Sequence, residues 1–377
     1  MVLTINLAPL CNTHGFLYNK EKNPPKLKID SKKIAKRYDD LGIVVLKPII
    51  DRFIFSFSPT NEMFAEYGIE EDLAEYKKQI VDSLFASAKI EGDGLCCISD
   101  VPFMAAPYKH YDRNFLYKPK GSKEAILVQV QPKKEHWPFI AFDMNVSRLS
   151  LAAIKEFRAF IEETFVLPGT SVLFHEFMGA AVIRHIEIAF DILGARPADT
   201  EILKMKTGKP FPCKTMVFKG KTGRAETMYL DVKKGKSSKA CIYDKRTEQL
   251  ERGVTPAYGD TLHTRYEVTI NKTNAHKLAT IQNYCKRISV KAPDYKKMRR
   301  LGHVQQFFVA TALHRSIQKA LGMLPPKLQA KHEKLYNDLF HDIWDADMLW
   351  THWKDYYATC GLFPAAPKCT QVQIPDG

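Results

Sequence analysis

Between Arg184 and Asp191 the chain alternates with a period of two. Ile186, Ile188 and Phe190 fall on one side, and His185, Glu187 and Asp191 on the other, with only Ala189 between them. Successive side chains of a strand point to opposite faces, so this stretch predicts a β-strand with one face on a core. Val44–Phe57 (VVLKPIIDRFIFSF) is a second strand signal, ending at Pro59, and Ala125–Gln131 and Trp137–Asn145 are two more. Leu73, Tyr76, Ile80 and Leu84 recur at helical spacing, as do Ile154, Phe157, Ile161 and Phe165. Each set predicts an amphipathic helix.

After the 183–191 strand the order starts again. Strands are expected at Thr215–Lys219, Ala225–Asp231, Lys239–Tyr243 and Thr264–Ile270, with a short helix near Thr247–Glu251 and another from Asn274. Strands in runs with intervening helices predict an α+β fold: one mostly antiparallel central sheet with helices packed on it. Beyond residue 290 the texture is helical. Phe307, Ala310, Leu313, Ile317 and Leu321 suit one helix, Pro325-Pro326 breaks it, and Leu335, Leu339 and Ile343 begin another. Three of the four tryptophans fall here, at spacings that favour a core. The expected division is a basic arm over 1–45, an α+β domain over 46–290, a small C-terminal helical module over 291–363 and a tail over 364–377.

Composition narrows the partners. The 377 residues carry 56 Lys+Arg against 42 Asp+Glu, a net charge of +14. Such an excess favours a polyanion, nucleic acid before an anionic membrane; a basic enzyme whose charge only aids solubility is the plainer alternative. Eight cysteines without a CxxC read as reduced thiols of a cytoplasmic protein. The N-terminus lacks the basic region of a signal peptide, and no apolar run approaches the ~20 residues of a membrane span.

Several familiar motifs fail on inspection. Gly220-Lys221-Thr222 imitates the end of a P-loop, but Thr215 stands where that motif needs its first glycine. His175-Glu176 is not followed by the second histidine of a zinc motif. Hard-ligand chemistry is left. His185, Glu187 and Asp191 suit Mg²⁺ or Mn²⁺, which prefer oxygen donors, and a divalent ion polarises a phosphodiester for in-line displacement. Tyr243 is a candidate nucleophile, with Lys245 on the same side of an extended chain. Lys233, Lys234, Lys236 and Lys239 lie just before it, and Arg246 just after, where they would hold DNA phosphates. The plainer readings are a half-exposed strand with solvated charges, an amphipathic edge tyrosine and a solvated hairpin tip.

Four segments, taken in order, resemble the replication initiation factor family of rolling-circle plasmids and filamentous phages. WPFIAFDMNVSRL from Trp137 resembles that family's strand ending in an acidic residue and an asparagine. RHIEIAFD at 184–191 resembles its Arg-x-acidic-x-Ala-x-Asp strand. ETMYLDVKKGKSSKACIYDKRTEQ at 226–249 resembles its strand, basic hairpin and Tyr-x-Lys-x-x-Glu segment, and HTRYEVTI at 263–270 its Thr-Arg-x-Glu strand. The resemblance covers roughly 45–290. It implies a sheet related to the HUH endonucleases, with an RRM-like core, and metal-dependent nicking and closing of DNA. Carried over, Glu187 and Asp191 are metal ligands, with His185 and Asp244 as further candidates, and Tyr243 is the nucleophile. The implied partners are double-stranded origin DNA, a single-stranded nick site, a host helicase and a second copy of the chain. Two departures stand out: Glu187 replaces a commoner Asp, and Thr247 stands where some relatives carry a second tyrosine. Two rivals stay open, a non-catalytic nucleic-acid-binding protein and a metal nuclease using activated water.

Overall fold

The computed structural model describes residues 38–66, 72–88, 93–97, 110–165, 178–204, 216–219, 225–230, 238–278, 280–360 and 362–363. Residues 1–37 of the expected arm, the tail from 364, and Lys233, Lys234 and Lys236 lie outside them.

The strands in chain order are β1 (Val44–Val45), β2 (Ile49–Phe57), β3 (Gly94–Cys97), β4 (Tyr111–Lys118), β5 (Ile126–Pro132), β6 (Ile140–Met144) and β7 (Val182–Leu193). They continue with β8 (Glu201–Lys204), β9 (Met216–Lys219), β10 (Ala225–Leu230), β11 (Ser238–Asp244), β12 (His263–Asn274), β13 (Ile288–Pro293) and β14 (Phe340–Asp342). Ten of them lie side by side in the order β3-β4-β5-β6-β2-β7-β12-β11-β10-β9, and β1 adds to β7. Neighbours along this row are antiparallel, as the α+β reading expected. A second, three-stranded sheet runs β14-β13-β8.

The 12-residue β7 is the central strand, held between β2 and β12. Its Ile186, Ile188 and Phe190 are fully buried, and each such side chain removed from water stabilises the fold by about 1.5–3 kcal/mol. Helices α1 (Leu73–Ser87) and α2 (Leu151–Thr164) join this core through Tyr76, Ile80 and Leu84 and through Ile154, Phe157 and Ile161, the residues their periodicity singled out. Ser150 caps α2, its hydroxyl accepting the Ala153 N–H at 3.1 Å. Gly194 ends β7 at φ +88°, where a Cβ would run into the Gly42 carbonyl, so only glycine fits.

The remaining helices used below are α3 (Lys245–Glu251), α4 (His303–Arg315), α5 (Ile317–Gly322), α6 (Pro326–Leu339) and α7 (Ala346–Thr359). The structure departs from the pattern in several places. The 44–57 strand splits at Lys47-Pro48, because proline has no N–H for the ladder. The helix expected from Phe307 through Leu321 is two, α4 and α5, since Ser316 adopts φ +92°. Pro326 opens α6 rather than only ending its predecessor, being the first helical residue, where no N–H is needed. β4 went unpredicted because Asp112, Arg113 and Asn114 interrupt its apolar alternation; the amide of Gln129 donates to Asn114 at 2.8 Å and keeps that pair satisfied inside. The C-terminal residues divide between two cores. Phe308, Val309, Ala312, Leu321, Tyr336 and Leu339 gather around their own, whereas Trp344, Trp350 and Trp353 pack with the main sheet.

Candidate active site

His185, Glu187, Ala189 and Asp191 alternate with the buried residues of β7 and share its other face. Register then decides their neighbours. Across β12, Asp191 pairs with Arg265, Ala189 with Glu267, Glu187 with Thr269 and His185 with Asn271. One strand further, Arg265 pairs with Tyr243 and Glu267 with Cys241. On the opposite side the β2–β7 ladder is irregular between Ile50 and Phe53, which brings Asp51 to the same face. Ala189, the one small residue of the stripe, lies between these strands and leaves room above it.

Into that room reach three carboxylates from three strands. Oxygens of Asp51, Glu187 and Glu267 all lie within 4.8 Å of one another, and each residue is partly buried. The Tyr243 hydroxyl donates to Glu267 Oε2 at 3.1 Å. Burial, reinforced by Glu187 and Asp51, pushes the Glu267 carboxyl up to about 7. Burial would raise Asp51 too, but Arg265 and Lys245 outweigh it and hold that carboxyl below its ordinary range. The Tyr243 phenol is pushed well above 10 by burial, with Arg265 opposing and Glu267 and Asp51 adding to the rise. Three oxygen donors close enough to repel one another, one keeping its proton near neutrality, suit a hard divalent cation such as Mg²⁺ or Mn²⁺.

A buried cation orders the cluster from beneath. Arg265 is 1% exposed; its Nε and Nη2 donate to the two oxygens of Asp191 at 2.7 and 2.8 Å, and its Nη1 donates to Asp51 at 2.7 Å. Ser147 donates to the other Asp51 oxygen at 2.6 Å. Asp191 is itself 1% exposed, and His263 Nε2 stands 3.1 Å from it. Burial alone would raise Asp191, but Arg265 and His263 hold it well below the carboxylate range. Fully buried and clasped on both oxygens by the one guanidinium, Asp191 fixes the arginine and stands outside the carboxylate trio.

The other expected site residues distribute as follows. Glu187 belongs to the trio. His185 supports it, with Nε2 at 2.7 Å from Glu187 Oε1 and Nδ1 at 2.9 Å from Asn271; burial opposes, but the bond to Glu187 raises the imidazole above 6.5. Asp244 caps α3, accepting the Thr247 N–H at 2.9 Å, so it serves the helix and not the cluster. Lys245 opens α3, pairs with Glu248 at 2.9 Å and places its Nζ 5.5 Å from the centre of the Tyr243 ring. Arg246 turns outward to Asp260 at 2.7 Å, and Lys239 is exposed on β11.

Asp51 and Glu267 were not singled out as ligands. Glu267 carried a usable signal, since Arg265, Glu267, Thr269 and Asn271 form a polar stripe of period two like that of β7. Asp51 carried none, because the ladder shift between Ile50 and Phe53 breaks the alternation of β2. No protein-family model matches this chain and no curated protein matches it in sequence, so the chemistry of the site is read from its own residues.

Proposed function

We propose that this face performs metal-assisted transfer of a DNA strand to Tyr243. One observation carries the reading: the Tyr243 hydroxyl is bonded to a member of a three-carboxylate cluster, at 3.1 Å from Glu267. A divalent cation bound by Asp51, Glu187 and Glu267 would polarise the scissile phosphate and offset the charge that builds on it. The phenolic oxygen of Tyr243 forms a bond to phosphorus as the bond to the 3′ oxygen breaks. The products are a 5′-phosphotyrosine link and a free 3′ hydroxyl, and the reverse reaction rejoins the ends. Glu267 Oε2, as the carboxylate, lies where the phenolic proton leaves, and the departing 3′ oxygen takes that proton up to become the hydroxyl. Arg265 opposes the rise of the Tyr243 phenol and holds Asp51 in place through its side-chain bond, and Lys245 stands beside the ring.

This chemistry is what a rolling-circle replication initiator uses, with double-stranded origin DNA, a single-stranded nick site and a host helicase as partners in the bacterial cytoplasm. No helix among the described residues is long and apolar enough to cross a membrane. A second reading, a metal nuclease using activated water, draws on the high pKa of the buried phenol. Incubation with supercoiled replicon DNA separates them. Relaxation that needs Mn²⁺, stops in EDTA and is lost in Tyr243→Phe supports the tyrosine. Relaxation retained by Tyr243→Phe assigns the attack to water, and relaxation that persists in EDTA overturns the metal as well.

A further inference from the structure

Positive charge is unevenly placed in this chain. Residues 295–339 hold nine Lys and Arg against two Asp and Glu, which is seven of the fourteen net charges in 45 residues. Around the main sheet, basic side chains are commonly matched: Arg52 with Asp143, Arg148 with Glu124, Arg196 with Asp199 and Arg246 with Asp260. In the 295–339 segment, Lys297 meets Asp294. Among the described residues no ion pair involves Arg299, Arg300, Lys319, Lys327, Lys331 or Lys334. Unpaired cations gathered on a unit with its own small core repel one another, and a polyanion relieves that repulsion.

Their placement is specific. Lys327, Lys331 and Lys334 are exposed and spaced by four and three along α6, so they share one face over about 10 Å of helix. An open cleft beside them is lined by Gln305 of α4 and by Lys331, Lys334, Leu335 and Asp338 of α6. On α4, Val304 is 72% exposed and Phe307 70%, one turn apart, although Phe308, Val309 and Ala312 of the same helix are buried.

We propose that this helical module is a docking face for double-stranded nucleic acid. Lys327, Lys331 and Lys334 bind phosphates from one side of α6. A helix of 14 residues with lysines on one side suits a groove of a duplex. A single strand calls for a series of stacking aromatics, and α4 exposes one. A bilayer calls for a long apolar face, and the apolar side of α4 is spent on its own core. The inference rests on the nucleic-acid part of the proposed function and not on the tyrosine chemistry.

The test uses the full chain and fluorescence anisotropy with a labelled random-sequence duplex over a range of salt. Lys327→Ala, Lys331→Ala and Lys334→Ala combined should lower the slope of log K against log salt by about 2–3, since each lost phosphate contact removes about 0.9. A thermal midpoint near wild type for the triple variant shows that folding is not the cause. A triple variant that keeps the wild-type slope overturns the docking face, and if wild type still forms a Tyr243 adduct the strand-transfer reading survives. Wild type that binds anionic phosphatidylserine vesicles but not the duplex overturns the docking face as a nucleic-acid site.

Discussion

Glu267→Gln tests the electrostatics of the carboxylate trio. In the folded protein this carboxyl titrates at about 7 against an ordinary 4.5, because it is buried beside Glu187 and Asp51. Between those two values the folded state keeps a proton that the unfolded chain has lost. Stability therefore falls as pH rises through that window and levels off above it. A rise of that size corresponds to about 3 kcal/mol as a ceiling. His185 acts in the same direction, since its bond to Glu187 raises it above 6.5 and its contribution is lost as pH rises. The wild-type profile holds both effects, and the difference between wild type and Glu267→Gln isolates the carboxylate. Thermal midpoints measured from pH 5 to 8 without divalent ions should decline in wild type and stay flatter in the variant, which should be the more stable protein at pH 8. Added Mn²⁺ at pH 8 should reverse the order, because a cation at a thousand times its dissociation constant stabilises wild type by about 4.1 kcal/mol, more than that ceiling. Parallel profiles for the two proteins between pH 5 and 7.5 would refute the reasoning.

Three other outcomes follow from the geometry. Arg265→Met leaves buried Asp191 with His263 as its remaining partner and strips Asp51 of its arginine, so it should cost about 3–5 kcal/mol and show as a large fall in thermal midpoint; a small fall would mean that His263 or water compensates Asp191. Asp191→Asn should destabilise the fold while leaving Mn²⁺ affinity near wild type, and Glu187→Gln should do the opposite, as calorimetric titration with Mn²⁺ can show; loss of affinity in Asp191→Asn at an unchanged fold would return that residue to the ligand set. Gly194→Ala should cost more than about 1 kcal/mol, since φ +88° and the nearby Gly42 carbonyl both oppose a Cβ; an unchanged denaturation midpoint would show that the β1–β7 junction can shift.

The alternation of β7 identified the polar face correctly, because period two is a backbone property that any strand writes into its sequence. What it does not encode is the partner across the ladder. Asp191 looked like a ligand until register placed Arg265 opposite it, and Glu267 became visible as part of the cluster only when β12 was set beside β7. Asp51 depends on a bulge, which local pattern does not announce. Asp244 shows another ambiguity, since an acidic residue before a helix is as good a cap as a ligand. In the C-terminal part, apolar periodicity ran through Ser316, where the backbone turns and separates α4 from α5.

The most direct measurement is the mass of the peptide that DNA remains attached to. Protein incubated with labelled replicon DNA and Mn²⁺ is denatured, digested and analysed by mass spectrometry. A nucleotide adduct on the peptide containing Tyr243, formed by wild type and absent from Tyr243→Phe and from EDTA-treated samples, is the predicted result. DNA cleaved without any attached peptide, or an adduct on a different tyrosine, would contradict it.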